Sequence, residues 1–396
     1  MKRLIQTMAL LWAALLLSSC GWRTAAGSSD GDTVALKYAQ YLRLVHHEGY
    51  VEAVILNPWH QGSDLHDYYL VPRGKEGDDV ARSLEARRGG GKHVDIVRTP
   101  IQSSVVTTSP HCQLLYELGC QQALRGVCDL DYILIHDVHR RASLKPMQRG
   151  AIVDCGQSMQ PSVERIIDLQ PEALLISPFE NSGGYGKLNQ IGIPIIETAD
   201  YMETSPLGRA EWIKFYGLLF QGDGAEGGGE SRADSLFASI EHSYLSLRSM
   251  AARLPLGRSI LTERKTGGVW YVPGGKSTVG VLLADAHARY VFARDNHSGS
   301  LALSPEQVIE RGADIDVWAL KYFGSRPASR GELLQEYPGY AQLKAMQMGE
   351  VYEASTSNQP YFEQTSFHPE RLLREFIILA HPDFHKLGQL KYYRKE

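Results

Sequence analysis

Short apolar runs alternate with amphipathic stretches along most of this chain. Runs rich in β-branched and aromatic residues predict strands, and the clearest in the first half are GYVEAVILNPW, DYYLVP, VDIV, DYILIHD, AIVDCG, EALLIS and GIPIIET. A helix is predicted to begin near Ser109 and Pro110, and residues 102–109 (QSSVVTTS) before it are predicted to form a polar loop. This alternation predicts an α/β fold with a mostly parallel sheet.

One long amphipathic helix divides the pattern. It follows the Gly-rich residues 222–230, and its apolar positions recur at steps of three and four residues. The alternation then restarts with RSILTER, VWYV, DIDVWAL and EVYEA, and it ends in a helix within PERLLREFIILAHP. The pattern therefore predicts an α/β lobe over residues 45–230, a connecting helix over 231–254, and a second α/β lobe over 255–396.

The N-terminus is typical of an exported lipoprotein. Lys2 and Arg3 precede sixteen mostly apolar residues that end at Cys20, which is too short for a membrane span and fits a signal peptide over residues 1–19. The ending LSSC resembles a bacterial lipobox, so we expect Cys20 to carry the lipid and residues 20–44 to be a tether and lead-in. The alternative is an uncut apolar anchor in which this cysteine occurs by chance.

Composition narrows the range of partners. Hydrophobic residues make up 43% and charged residues 22% of the chain, which predicts a packed core. The formal net charge is −4 and no basic run is present, which argues against a nucleic-acid partner. Cysteine spacing leaves two disulfides open, Cys120 with Cys128 or Cys128 with Cys155, whereas Cys112 and Cys120 are predicted to lie too far apart on one helix.

The sequence shows no converging set of catalytic or metal-binding residues. PGGKST resembles the end of a phosphate-binding loop, but Trp270 stands where that motif needs a glycine. GQSMQ lacks the final glycine of a nucleophile elbow, and the chain contains neither CxxC nor HExxH. We therefore expect no enzyme activity, no resident cofactor and no protein-bound metal.

One short phrase occurs twice. PSVERIIDLQPEALLIS (residues 161–177, the first copy) matches LSPEQVIERGADIDVWA (residues 303–319, the second copy). Ser162 and Ser304 are good N-caps, and each is followed by a glutamate, Glu164 or Glu306, in the first helical turn. Helix stabilisation alone explains this pattern, but two exposed carboxylates at matching places would also suit a two-fold symmetric partner with basic pockets.

With these phrases, the chain resembles the substrate-binding lipoproteins of ABC importers for vitamin B12, iron-siderophores and haem, the class III periplasmic binding proteins. Further similar pieces are LLYELGCQQALRGVCD, IGIPII, GRAEWIKF, VWYVPGGKS and DAHARYV, so the resemblance covers about residues 45–390. It implies two Rossmann-like lobes with mostly parallel central sheets, joined by one long α-helix. It also implies that Glu164 and Glu306 engage arginines of a permease dimer, which works with its ATPase. Glu172 departs from the usual aspartate, and Gly312-Ala313 replace the Gln170-Pro171 of the first copy.

The resemblance also implies a ligand in the cleft between the lobes, on loops at strand ends. The candidate contacts are Trp59, Ser104, Thr107, Tyr185, Trp270, Tyr271 and Arg294. Aromatic faces suit a macrocycle or a catecholate, and Arg294 could pair with an anionic iron chelate. For Trp270 and Tyr185, ordinary packing is the alternative interpretation.

These observations lead to one main hypothesis: a lipid-anchored carrier on the periplasmic side of a bacterial membrane that delivers an iron-siderophore or haem to the permease. The same scaffold would also accommodate cobalamin or another corrinoid. Hypotheses from other classes are an exported enzyme that modifies the chelate, and a surface lipoprotein that scavenges a ligand or binds a protein without a permease.

Overall fold

A computed structural model describes residues 31–87, 94–146, 148–180, 185–222 and 231–396. The expected signal peptide over residues 1–19, the expected lipid site at Cys20 and most of the tether lie outside these ranges. Among the helices in these ranges, none is long and apolar enough to cross a membrane.

A parallel sheet forms the centre of the first lobe. Its strands, from one edge to the other, are Ile195–Glu197, Ala173–Ile176, Ser104–Val106, Leu124–Val127 and Val153–Asp154. A short antiparallel pair, Gly156–Gln157 with Gln160–Pro161, follows the last of these strands. Because the strands are parallel, their carboxyl ends lie at one edge of the sheet, where open α/β sheets usually bind ligands.

Two elements of this sheet differ from the prediction. Residues Ser104–Val106, predicted as part of a polar loop, form the fully buried central strand, which the flanking hydroxyl residues concealed. The predicted strand DYILIHD is wrong: it contains the end of a 3-10 turn, Leu130–Tyr132, and the start of a helix, His136–Ala142. The strand lies earlier, at Leu124–Val127, because Asp129 adopts a left-handed conformation (φ 51°) that ends the extended run.

A second sheet of the first lobe is mostly antiparallel. Its strands Leu42–His47, Tyr50–Leu56 and Asp64–Pro72 form an antiparallel meander, and Val94–Thr99 pairs in parallel with the third. A two-residue strand, Asp32–Thr33, comes before them in the chain. The predicted lobe boundary at residue 45 falls within the strand Leu42–His47.

Two buried glutamates hold the residues that lead into this sheet. The backbone N–H groups of Lys37, Tyr38 and Ala39 donate to the Glu211 carboxylate at 2.8–3.0 Å. The N–H groups of the next two residues donate to Glu203 at 2.9–3.0 Å. The lead-in is therefore attached to the lobe by charge-assisted hydrogen bonds.

The connecting helix runs over Arg232–Ala251, slightly shorter than the predicted 231–254. The Ser231 hydroxyl caps its start by accepting from the N–H of Asp234 at 3.1 Å. Its buried face is formed by Ala233, Phe237, Ile240, Tyr244 and Ala251. At 1.5 Å per residue the helix is about 30 Å long, enough to run along both lobes. In the second lobe, Asp285 accepts a hydrogen bond from the Tyr244 hydroxyl at 2.6 Å.

The second lobe repeats the layered arrangement on a smaller scale. Its main sheet has the strand order Ile260–Thr262, Val317–Tyr322, Val351–Ser355 and Tyr393–Lys395, of which the first three are parallel and the last is antiparallel. A three-stranded antiparallel sheet contains Lys265–Thr266, Val269–Pro273 and Ser300–Leu303. A fully buried cluster of Trp270, Trp318 and Tyr340 packs between these elements.

Helices cover the sheets of both lobes. Those of the first lobe are Lys75–Arg87, Ser109–Glu117, His136–Ala142, Val163–Leu169, Pro206–Glu211 and Ile213–Gln221. Those of the second lobe are Thr278–Asp285, Pro305–Gly312, Arg330–Glu336, Lys344–Gln347, Tyr361–Thr365 and Pro369–Ala380. Short 3-10 turns are Gln121–Ala123, Leu130–Tyr132, Gly186–Gln190, Ala199–Met202, Pro338–Gln342 and His385–Leu387. The predicted fold class is confirmed: two α/β lobes with mostly parallel central sheets, joined by one long helix.

The four cysteines within the described ranges are free thiols. Cys112, Cys128 and Cys155 are buried, and Cys120 is partly buried. The prediction that Cys112 and Cys120 lie on one helix is wrong, because the helix Ser109–Glu117 ends before Cys120. Burial raises the pKa values of all four thiols, which keeps them protonated at neutral pH.

Candidate ligand cleft

The two lobes meet where their parallel strands end. Tyr132 lies just beyond the strand Leu124–Val127 of the first lobe, and Phe323 directly follows Val317–Tyr322 of the second. Their rings are 5.5 Å apart across the junction, although the two residues are 59% and 65% exposed. Two large apolar side chains thus face each other while most of their surface remains in contact with solvent.

Other exposed aromatic residues follow neighbouring strands of both sheets. Phe179 and Tyr201 come after Ala173–Ile176 and Ile195–Glu197 in the first lobe, and Phe362 comes after Val351–Ser355 in the second. Exposed aromatic surface is costly in water and commonly marks a binding surface. None of these aromatic residues is among the seven ligand contacts predicted from the sequence. A usable signal existed, because each residue stands one to seven positions after the end of a strand.

A polar pocket of about 420 Å³ opens on the second lobe. Its lining residues are Glu263, Arg264, Thr266, Tyr271, Pro273, Ser277, Thr278, Val279, Ser298, Gly299, Ser300 and Lys321. Several of these follow the strand Ile260–Thr262 or belong to Val317–Tyr322, so the pocket lies near the same strand ends as Phe323. The pocket has many hydroxyl groups and two cations, Lys321 and Arg264, which pair with Glu263 and Glu336. These groups can bind a polar ligand by hydrogen bonds.

An ion pair between Lys321 and Glu263 forms one wall of this pocket. Burial opposes the charge on Lys321, but the adjacent Glu263 carboxylate outweighs this effect and raises the pKa of Lys321. The ammonium group therefore stays charged at neutral pH. Glu263 itself has φ 65°, a conformation uncommon for a residue other than glycine, and its backbone oxygen accepts from the Trp318 indole at 2.8 Å.

Three of the seven predicted ligand contacts lie inside the protein. The Ser104 hydroxyl donates to the backbone oxygen of Ala123 at 3.0 Å, and the Thr107 hydroxyl donates to that of Leu175 at 3.0 Å. Trp270 is fully buried, and its ring packs against Trp318 and Tyr340. These side chains stabilise the strands and the core, which is the packing role that the sequence had left open for Trp270.

The other four predicted contacts reach the surface at separate places. Tyr271 is exposed and lines the pocket of the second lobe. Trp59 is partly buried in the turn after Tyr50–Leu56, where its backbone N–H donates to the Asn57 side chain at 3.0 Å. Tyr185 is partly buried, and its hydroxyl donates to Glu197 at 2.7 Å. Arg294 is exposed in a turn, and it does not line the pocket.

Glu164 and Glu306 are both exposed in the first turns of their helices. Each helix leads by a short turn into a parallel strand, so its N-terminus lies towards the carboxyl edge of that sheet. The Glu306 carboxylate accepts from the Tyr337 hydroxyl at 3.0 Å. Its own backbone N–H and this hydroxyl lower the pKa of Glu306, so it is ionised at neutral pH.

A buried contact fastens the lobes beside the cleft. His368 of the second lobe lies 2.8 Å from Glu117 of the first lobe through Nε2 and 2.9 Å from Glu370 through Nδ1. Burial opposes protonation, but the two carboxylates outweigh it and raise the pKa of His368. In addition, the Leu134 N–H of the first lobe donates to Glu363 of the second at 2.9 Å. The lobes therefore have specific polar contacts, besides those made by the connecting helix.

Several known proteins are similar to this chain in sequence or in fold. An uncharacterised lipoprotein of Methanocaldococcus jannaschii is 22% identical over 378 residues, covering 93% of this chain and 87% of the relative. A periplasmic haem-binding protein of Pseudomonas aeruginosa superposes with a TM-score of 0.53 and 17% identity, covering 71% of this chain and 93% of that one. A protein of an ABC-type Fe³⁺-hydroxamate transport system from Saccharomonospora viridis superposes with a TM-score of 0.52 and 18% identity, covering 73% of this chain and 94% of that one. At these identities the two structures show a common fold.

A family model gives the assignment. The model described as periplasmic binding protein matches residues 105–356. This range begins within the central strand of the first lobe, and it contains the connecting helix and both copies of the repeated phrase. The chain belongs to the periplasmic binding protein family.

Proposed function

We propose that this protein is a lipid-anchored carrier of an ABC importer, which binds a metal chelate in the cleft between its lobes and delivers it to the permease. The family assignment supports a binding role, and the relative named as a lipoprotein supports the lipid anchor expected at Cys20. The carrier would act on the periplasmic side of a bacterial membrane, within the cell envelope.

The single observation that carries this proposal is the exposed aromatic pair Tyr132 and Phe323. The two rings face each other across the lobe junction, with their centroids 5.5 Å apart. Inserting a flat, partly apolar ligand between or beside these rings would bury aromatic surface that is now in water. The nearby pocket with Lys321 and Arg264 would accept the anionic edge of the same ligand.

A ligand with both an aromatic face and anionic groups matches these two surfaces. Ferric catecholates and haem have this combination, and the structural neighbours include one protein named for haem and one for an Fe³⁺-hydroxamate. We therefore propose an iron-siderophore or haem as the transported ligand. A corrinoid is the alternative within the same scaffold.

Delivery would use the two exposed glutamates. Glu164 and Glu306 lie at corresponding helix starts of the two lobes, both on the strand-end side of their sheets. A two-fold symmetric permease with basic pockets could bind one carboxylate with each of its subunits. The side chains are exposed, so that docking would require no rearrangement of the core.

The direct test is a titration of the purified protein with haem, a ferric tris-catecholate, a ferric hydroxamate and cobalamin, followed by absorbance and thermal unfolding. We expect one of the iron compounds to bind, and at 100 times its Kd to raise the free energy of unfolding by about 2.7 kcal/mol. Tyr132→Ala and Phe323→Ala should each weaken binding about tenfold, which corresponds to about 1.4 kcal/mol.

Met348→Ala is the matched control, because Met348 is 69% exposed but lies before the strand Val351–Ser355, at the opposite end from the cleft. It should leave binding unchanged. Stabilisation by cobalamin alone would favour the corrinoid alternative. Failure of all four ligands, or equal loss in Met348→Ala and the two aromatic variants, would reject the proposed cleft site.

A further inference from the structure

A hydroxyl, an imidazole and a carboxylate lie in series at the end of the central strand of the first lobe. The Thr108 Oγ1 lies 2.5 Å from Nδ1 of His111. On the other side of the ring, Nε2 of His111 lies 2.9 Å from Oδ1 of Asp200. These distances are those of a nucleophile, a base and a group that orients the base.

The fold brings these residues together from two elements. Thr108 stands two residues after the strand Ser104–Val106 and immediately before the helix Ser109–Glu117, whose first turn contains His111. Asp200 lies in the 3-10 turn Ala199–Met202, after the edge strand Ile195–Glu197. Thr108 is partly buried, whereas the imidazole and the carboxylate are buried behind it. Of the three residues, only Thr108 has appreciable surface in contact with solvent.

Helix capping does not account for this arrangement. A threonine at an N-cap normally accepts a hydrogen bond from a backbone N–H of the first turn. The Thr108 side chain makes no such capping bond, and its hydroxyl is directed to the His111 ring instead.

The carboxylate is held in its ionised form. Asp200 is fully buried, and it accepts from Arg209 Nε at 2.9 Å and from the Tyr216 hydroxyl at 2.8 Å. Burial opposes its charge, but the Arg209 guanidinium and the hydrogen bonds from His111 and Tyr216 outweigh this effect and lower the pKa of Asp200. In the tautomer with its proton on Nε2, a neutral His111 donates to the ionised Asp200, and the lone pair of Nδ1 can accept from the Thr108 hydroxyl.

We propose that Thr108 and His111, positioned by Asp200, cleave a carboxylic ester or lactone in a compound held at this edge of the cleft. This activity goes beyond the proposed transport role, which involves no chemistry. Sequence reasoning missed it, because Asp200 is far from the other two residues along the chain.

The reaction is balanced without a cofactor. Thr108 Oγ1 forms a bond to the ester carbonyl carbon while its proton passes to Nδ1 of His111. The C–O bond to the alcohol then breaks, and the leaving oxygen takes that proton. Water attacks the acyl-threonine through the same imidazole, which releases the carboxylic acid and restores the hydroxyl. The N-terminal end of the helix Ser109–Glu117 provides a positive potential for the developing oxyanion.

The test uses the full protein with p-nitrophenyl acetate as the probe, and measures p-nitrophenol release together with the site of acetylation by peptide mass mapping. We expect acetyl on Thr108 and a loss of about 10²–10⁴-fold in the release rate for Thr108→Val. Thr108→Ser should retain the reaction, because it keeps the hydroxyl. Asp200→Asn should lower kcat and leave KM nearly unchanged, as a positioning role requires.

Ser177→Ala is the control, since the Ser177 hydroxyl lies just after the adjacent strand Ala173–Ile176 and contacts the Thr198 hydroxyl at 3.0 Å. It should react like the unmodified protein. Thr108→Val is nearly isosteric, and an unchanged thermal unfolding curve will show that it folds. If folded Thr108→Val releases p-nitrophenol as fast as the unmodified protein, or if acetyl is found only on other residues, the proposal is overturned.

Discussion

The two copies of the repeated phrase form similar helices that are attached to their lobes in different ways. In both, a serine caps the helix and a glutamate in the first turn is exposed. In the second copy, Gln307 completes a capping box with Ser304, and Tyr337 donates to Glu306. In the first copy the N3 residue is Arg165, which donates its backbone N–H to the cap but returns no side-chain bond to it.

The difference is larger where each helix leads into its strand. Leu174 of the first copy is buried among apolar residues, whereas Asp316 occupies the matching place in the second. The Asp316 carboxylate accepts from the N–H and hydroxyl of Ser259, both at 2.9 Å, and pairs with Arg289 and Lys344 at 2.8 and 2.6 Å. One copy is therefore held by apolar packing and the other by a polar network, while both place the glutamate on the surface.

The two helices also differ in how much of their apolar surface the lobe covers. Ile167 of the first copy is 49% exposed, and the matching Ile309 of the second is 4% exposed. The local sequence pattern thus determines where the helix begins and where its glutamate points. The surrounding lobe determines how much of the helix is covered.

The largest expected effect is on ligand uptake, and it tests the exposed glutamate that both copies share. Glu164→Ala combined with Glu306→Ala should reduce uptake of a radiolabelled ferric chelate to background and leave ligand affinity within about twofold, since both side chains are exposed and outside the cleft. Each single variant should cause a partial loss. The measurement is uptake by cells that express the importer, with affinity measured on the purified protein.

The control for this experiment is Asp168→Ala with Glu310→Ala. These residues occupy matching positions on the same two helices, are exposed, and remove the same charge. Normal uptake by the Glu164 and Glu306 double variant, or an equal loss in the control, would show that the helix starts do not dock to a permease.

The next effect is on stability, and it tests the polar network around Asp316 that only the second copy has. Burial opposes ionisation of Asp316, but hydrogen bonds from Lys344 and Ser259 outweigh it and lower its pKa from 3.8 to about 2. A carboxyl whose pKa is lower in the folded state adds stability above its unfolded pKa, and this stability is lost as pH falls from about 4 to about 2. A shift of this size corresponds to about 2 kcal/mol.

Asp316→Asn should therefore lower the free energy of unfolding by about 2 kcal/mol at pH 7, with the difference shrinking towards zero near pH 2. Urea unfolding at a series of pH values measures this. The exposed Asp314→Asn, two residues away, is the control and should show little effect. A destabilisation by Asp316→Asn that is independent of pH would mean that the polar network does not depend on the charge.

The smallest effect compares the two caps. Ser304→Ala removes the 3.2 Å bond that the Ser304 hydroxyl accepts within a capping box, and should cost about 1–2 kcal/mol. Ser162→Ala removes a longer capping bond of 3.4 Å and should cost about 0.5–1 kcal/mol. Denaturant unfolding under identical conditions measures both. Equal costs, or a larger cost for Ser162→Ala, would contradict the difference seen in the structure.

Local sequence rules predicted the features that depend on neighbouring residues. The capping box at Ser304, the amphipathic connecting helix and most strands of the second lobe appear close to their expected positions. These features follow from side-chain periodicity and capping chemistry, which act over a few residues. The same rules failed at Ser104–Val106 and at DYILIHD, because a short run carries too little information to distinguish a central strand from a loop or turn.

The sequence by itself determined the fold class and the two exposed glutamates. Only the tertiary structure decided which side chains share a site. Tyr132 meets Phe323, and Thr108 and His111 meet Asp200, because strands distant in the chain end at the same edge. Trp270 and Ser104 are covered for the same reason, since burial depends on what packs against a residue from elsewhere in the chain. Such contacts depend on the arrangement of whole sheets, and no local pattern records them.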